Sequence, residues 1–72
     1  MVKFGNLLYT LMPIGFIRVL GAYGNTLYTG IRGNIPSDFF MEHRNDKVIC
    51  VTVENNELAI YIGESEENAN GV

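Results

Sequence analysis

Apolar residues near the start of the chain fall at Phe4, Leu7, Leu8 and Leu11. That spacing is i, i+3, i+4, i+7, one stripe of a 3.6-residue period, and it predicts a helix over residues 3–12. Pro13 ends it, because the residue before a proline is pushed out of the α region. Gly5 and Asn6 are poor helix formers, and a segment of about ten residues is too short to be helical alone, so packing has to hold it. From Phe16 the pattern changes. Phe16–Leu20 is rich in β-formers and runs into Gly21-Ala22-Tyr23-Gly24-Asn25. A three-residue loop of Ala22, Tyr23 and Gly24, a type I turn closed by a left-handed Gly24 in a G1 bulge, predicts a hairpin over residues 16–32, with Gly21 and Asn25 facing across the loop. This register pairs Val19 with Leu27 and Ile17 with Thr29 on one face. It pairs Arg18 with Tyr28 and Leu20 with Thr26 on the other.

A second short helix is expected over residues 36–43. Pro36 suits the first helical position and Ser37 is the rival N-cap. Asp38 is favourable in the first turn, Phe39 and Phe40 give the apolar side, and Arg44-Asn45-Asp46 is the exit turn. Residues 47–62 carry the clearest local pattern, two β-rich runs around Glu54-Asn55-Asn56-Glu57. Asn-Asn suits the positive φ values of a two-residue type I′ loop. The loop pairs Val53 with Leu58, Val51 with Ile60 and Ile49 with Ile62, so six branched aliphatics share a face under the first helix. Val51→Asp is then expected to unfold the domain. Cys50, Thr52, Ala59 and Tyr61 fall on the other face. The expected fold is α+β: a four-stranded, mostly antiparallel sheet from two β-hairpins, the N-terminal helix on one face and the short helix crossing between hairpins. Residues 1–63 make the single domain and 64–72 an acidic flexible tail.

Composition adds limits. A chain of 72 residues has a marginal core. Cys50 is the only cysteine and His43 the only histidine, which excludes an intrachain disulfide and a tetrathiolate zinc site. Association is the remaining way to gain stability, and a homodimer or higher assembly is expected. No cofactor is implied. Net charge is −3, which argues against nucleic-acid binding. No apolar run reaches the roughly 18 residues of a membrane span, and the first twenty residues read as a core helix, not a signal peptide. A lone thiol fits the reducing cytoplasm.

Leu7-Leu8, Gly24-Asn25, Leu27-Tyr28-Thr29-Gly30, Ile35-Pro36-Ser37 and Leu58–Ile62 form a helix–hairpin–short helix–hairpin series. In this, residues 3–62 resemble small uncharacterised proteins from phages and mobile elements of Firmicutes. The usual turn of that group has Asp or Glu before the glycine, where this chain has Ala22-Tyr23. The resemblance implies a mobile-element context and no particular activity.

Candidate chemistry is sparse. His43 with Cys50 would need hydrogen-bond reach and a third, orienting group; a helix-end histidine and a small buried thiol are the plainer expectation. Gly30 and Gly33 around Arg32 fit a bulge or a close backbone approach better than a phosphate loop. Asp38, Glu42, Glu64, Glu66 and Glu67 form no pair across a cleft. Phe16, Arg18, Leu20, Tyr28 and Tyr61, with Cys50, are expected together on the face away from the aliphatic core, and tyrosine and arginine dominate binding hot spots. The expected function is that of a non-enzymatic phage-type binding protein. It would act stoichiometrically through this face on a host protein, as an inhibitor of a defence system. The alternative is a homo-oligomeric binder, or sponge, of a small anionic or nucleotide ligand held by Arg18, Tyr28 and Arg32.

Overall fold

The computed structural model describes residues 2–64. The expected tail therefore lies, past Glu64, outside the described residues. In chain order the elements are helix α1 (Phe4–Leu8), strands β1 (Phe16–Leu20) and β2 (Thr26–Ile31), a 3-10 turn (Arg32–Asn34), helix α2 (Ser37–His43), and strands β3 (Lys47–Glu54) and β4 (Glu57–Gly63). The four strands form one sheet in the order β2-β1-β4-β3. Both hairpins are antiparallel, and β1 and β4 meet in parallel at the centre. The fold is α+β, and the sheet is mixed. The parallel pair follows from the crossover: β2 ends at one edge, α2 carries the chain over the sheet, and β3 starts at the other edge.

α1 is shorter than its apolar stripe. Thr10 and Leu11 already donate three residues back, to Leu7 O and Leu8 O, and the Thr10 hydroxyl also bonds Leu7 O at 2.7 Å. That side-chain bond competes with helical continuation. No side chain caps the helix; the backbone of residues 44–48 holds its start instead. Val48 N donates to Val2 O, Phe4 N to Asp46 O and Gly5 N to Arg44 O, at 2.8–2.9 Å, and Lys3 bridges Lys47. α2 starts from Pro36 at the N-cap, and the Asp38 carboxylate accepts from Phe39 N. Its Phe39 ring stands edge-on to Phe4 at 6.3 Å and against Tyr28 at 5.8 Å. Both helices thus lie on one side of the sheet, over a core of Phe4, Leu8, Ile17, Val19, Ile60 and Ile62.

The loops match the sequence expectation. Gly24 has φ +88°, Gly21 N donates to Asn25 O, and Asn55 and Asn56 have φ of 54° and 65°. The registers match only next to the loops. Leu20 pairs with Thr26, then Leu27 is extra, so Val19 meets Tyr28, Arg18 meets Thr29 and Ile17 meets Gly30. Tyr28 therefore turns to the helix side, away from Arg18. Its hydroxyl arches over Gly30 to donate to Ile31 O at 2.7 Å. Gly30, at φ +149°, is the residue that permits this: a Cβ there would sit 2.9 Å from the Tyr28 oxygen. In the second hairpin Val53–Leu58 and Val51–Ile60 are as expected, but Val48, not Ile49, meets Ile62. Ile49 is the extra residue and turns to the other face, where Gly63 leaves room for its Cδ1.

The six-residue aliphatic face is consequently not uniform. Ile60 and Ile62 are buried and Leu58 packs against the core, whereas Ile49, Val51 and Val53 are 51%, 44% and 68% exposed. α1 and α2 cover the sheet from β2 to β4 and Val48 at the start of β3, and β3 beyond Val48 is left open at Ile49, Val51 and Val53.

Candidate functional site

On the face expected to bind a partner, two pairs of polar side chains are tied to each other, while Phe16, Ile49 and Cys50 are exposed. Arg18 and Ala59 are register partners, as are Ala59 and Thr52; Leu20, Tyr61 and Cys50 form the adjacent rung. From that rung Tyr61 reaches along the sheet to donate its hydroxyl to Glu54 Oε2 at 2.9 Å, while Arg18 Nη2 meets Glu57 Oε1 at 3.0 Å. Beneath these side chains Ala59 and Leu20 are buried. The Tyr61 phenol is held above its ordinary 10.0, first by its hydrogen bond to Glu54 and then by desolvation; the charges of Glu54 and Cys50 add to the rise and Arg18 opposes it. Of the five residues assigned to this face, Phe16 is 46% exposed, Leu20 is covered, Arg18 and Tyr61 are tied to carboxylates, and Tyr28 is on the opposite side.

The three residues grouped for an anionic ligand do not converge. Arg18 and Tyr28 lie on opposite faces, and Arg32 is in the 3-10 turn with Nη2 on Leu11 O at 3.3 Å. His43 and Cys50 are not a catalytic couple either. His43 Nδ1 is 2.7 Å from Asp46 Oδ2, its ring packs on Phe39 at 4.5 Å, and Asp46 N donates back to His43 O. This closes the exit turn of α2. Cys50, expected to be buried, is exposed on β3. Among the described residues no group of three His, Cys, Asp or Glu side chains could hold a metal ion, and no helix is long and apolar enough to cross a membrane.

A different concavity brings side chains together. The segment between α1 and β1 is clamped to the 3-10 turn by Arg32 N→Gly15 O (2.8 Å) and Gly33 N→Pro13 O (2.7 Å). Gly33 is needed there, since a Cβ would lie 2.9 Å from Pro13 O. Between this clamp and the two helices is a cavity of about 220 Å³ lined by Leu8, Tyr9, Arg32, Gly33, Ile35, Ser37 and Phe40. Arg32 Nε, buried nearby, has no hydrogen-bond partner among the described residues. Tyr9, whose ring meets Phe40 edge-on at 6.4 Å, is mostly exposed, as are Met12 and Ile14 in the same segment. None of Tyr9, Met12, Ile14, Ile35 or Phe40 was singled out as a site residue from sequence. The available signal was large apolar residues at Met12 and Ile14, where helical periodicity had ended and no strand had begun. A wider hollow of about 390 Å³ at the opposite end of the sheet, between the β1–β2 loop and Gly63, opens at Glu64, the last described residue.

Comparison with protein-family models, with curated proteins and with solved structures finds no match for this chain.

Proposed function

We propose that this chain is a non-enzymatic binding protein that accepts one apolar side chain of a protein partner in the cavity between α1, the 3-10 turn and α2. The observation that carries this reading is the cavity itself, lined by apolar Leu8, Ile35 and Phe40 together with exposed Tyr9 and with Arg32. Its volume of about 220 Å³ is below the roughly 300–1,000 Å³ of small-molecule pockets and suits a single anchoring side chain. Tyrosine and arginine at the rim of an apolar pocket are the residue types that dominate binding hot spots. A phage or mobile-element origin, a host protein as target and a role as inhibitor of a defence system are part of the proposal, and the resemblance supports them. A cytoplasmic setting is proposed from the lone, exposed Cys50.

The test is affinity capture from a Firmicutes lysate, followed by binding of the identified protein in purified form. Tyr9→Ala and Arg32→Ala are expected to weaken that binding about tenfold or more, the equivalent of 1.4 kcal/mol. Phe16→Ala, on the other face, should leave it unchanged. Equal affinity for wild type and both cavity variants would overturn the proposal, and so would the absence of any purified partner that binds.

A further inference from the structure

The two edges of the sheet differ. β2 is interrupted by the extra residue Leu27 and by Gly30 at φ +149°. β3 has its irregularity early, at Ile49, and from Cys50 to Glu54 it pairs with β4 without a break. Natural sheets protect an edge with proline, lysine, a bulge or a covering segment. On β3, among the described residues, Val2 and Lys3 cover the first rungs, at Lys47 and Val48. The next five residues, Cys50-Val51-Thr52-Val53-Glu54, contain no proline and no charge before Glu54. Val53 is two-thirds exposed on the helix side, Val51 is nearly half exposed, and Cys50 is exposed on the other face.

The order of these five residues is self-complementary. Laid antiparallel on itself about Thr52, the strand sets Val51 against Val53 twice on the helix side. It sets Thr52 against Thr52, and Cys50 against Glu54, on the other side. The parity is right, so both copies keep their helices on the same side of one continuous sheet. The charges agree as well. Lys47, Cys50 and Glu54 face the same side, because the extra residue Ile49 lies between the first two. In this register Glu54 of each copy lies opposite Cys50 of the other, on the same face as Lys47, the next residue on that face beyond the Ile49 irregularity. The arrangement occurs twice by symmetry, as an isologous interface requires.

We infer that the Cys50–Glu54 edge of β3 pairs with the same edge of a second copy, antiparallel about Thr52, to give a continuous eight-stranded sheet. This uses a surface separate from the cavity and stands whether or not the cavity binds a partner. It places self-association at the strand edge. Five residues of strand bury less than the roughly 1,200 Å² of a standard interface, so the dimer is weak and concentration-dependent.

The experiment is sedimentation equilibrium over a wide concentration series, with Val53→Lys and Phe16→Ala beside the wild type, joined to one cross-linking measurement. The wild-type mass is expected to rise from 8.0 kDa toward twice that value with concentration, and added salt should weaken association. Val53→Lys should stay at the monomer mass with an unchanged far-ultraviolet spectrum, and Phe16→Ala should behave as wild type. Thr52→Cys with Cys50→Ser should form a disulfide dimer on mild oxidation, since directly opposed residues lie about 4.5–5.5 Å apart at Cα, within disulfide range. A wild-type mass fixed at 8.0 kDa throughout would overturn the inference. So would association that survives Val53→Lys undiminished, or a Thr52→Cys protein that does not cross-link.

Discussion

Phe4→Ala should remove a large share of the stability of this domain. The ring is fully buried between α1 and the sheet and stands edge-on to Phe39, the residue that joins α2 to Tyr28. α1 itself has five residues and no side-chain cap, so little holds it apart from Phe4, Leu8 and the backbone bonds to residues 44–48. Truncating a buried phenylalanine costs about 3–5 kcal/mol, partly for lost burial and partly for the cavity left behind. A domain of 72 residues at roughly 0.05–0.15 kcal/mol per residue has about 4–11 kcal/mol in all. The substitution therefore takes between about a quarter and the whole of it. Urea unfolding followed by far-ultraviolet circular dichroism measures this directly. With a slope of about 1–3 kcal/mol per molar urea, the midpoint should fall by at least 1 M, or folding should be lost. Tyr23→Ala is the control, because that ring is fully exposed at the β1–β2 loop and its removal should change stability by less than about 0.5 kcal/mol. If Phe4→Ala shifted the midpoint no more than Tyr23→Ala, α1 would not be part of the cooperative core.

Three further outcomes follow from the geometry. Gly30→Ala should cost about 1–3 kcal/mol in the same assay, since it forces a side chain into positive φ and against the Tyr28 hydroxyl. Ile60→Asp should abolish folding, because the charge would be buried without a partner, whereas Val51→Asp, expected from the alternating pattern to unfold the chain, should leave a folded monomer by circular dichroism, since Val51 is nearly half exposed. Tyr61 binds its proton more tightly in the folded protein than its ordinary 10.0, so its contribution to stability is complete below pH 10 and is lost as pH rises through its higher folded value; wild type should lose more stability than Tyr61→Phe on going into that alkaline range, and equal loss would show that the Glu54 bond does not govern the titration.

The parts legible in the sequence were those set by local chemistry. Gly24 and the Asn55-Asn56 pair specified their turns because few residues accept positive φ, and each turn fixed the pairs beside it. Register further along each strand depended on one inserted residue. In β2 the insertion at Leu27 was foreshadowed by Gly30, since a glycine inside a strand often marks an irregularity or a close approach. In β3 an alternating run offered Val48 and Ile49 equally for the place opposite Ile62, and docking of Val2 and Lys3 on the strand start decided between them. Burial of Val51 and Val53 could not be read from period alone, because alternation identifies a face and not the extent to which two short helices cover it. The cavity at Arg32 was hidden for a related reason. Its walls come from α1, the 3-10 turn and α2, and only the backbone bonds of Arg32 and Gly33 to Gly15 and Pro13 bring those segments together.

The parallel pairing of β1 with β4 sets the order in which this chain can assemble. Each hairpin closes a loop of a few residues, which costs little entropy and takes microseconds. Joining Ile17 to Leu58 spans 41 residues (58 − 17) and can be rewarded only after both hairpins exist. The slow step is therefore a docking of two preformed halves, and the seam between them runs through the centre of the core, with Ile17 and Val19 on one side and Ile60 on the other. A half that meets the complementary half of another molecule first finds the same seam. At high concentration during folding, exchange of hairpins between chains thus competes with closure of one chain on itself.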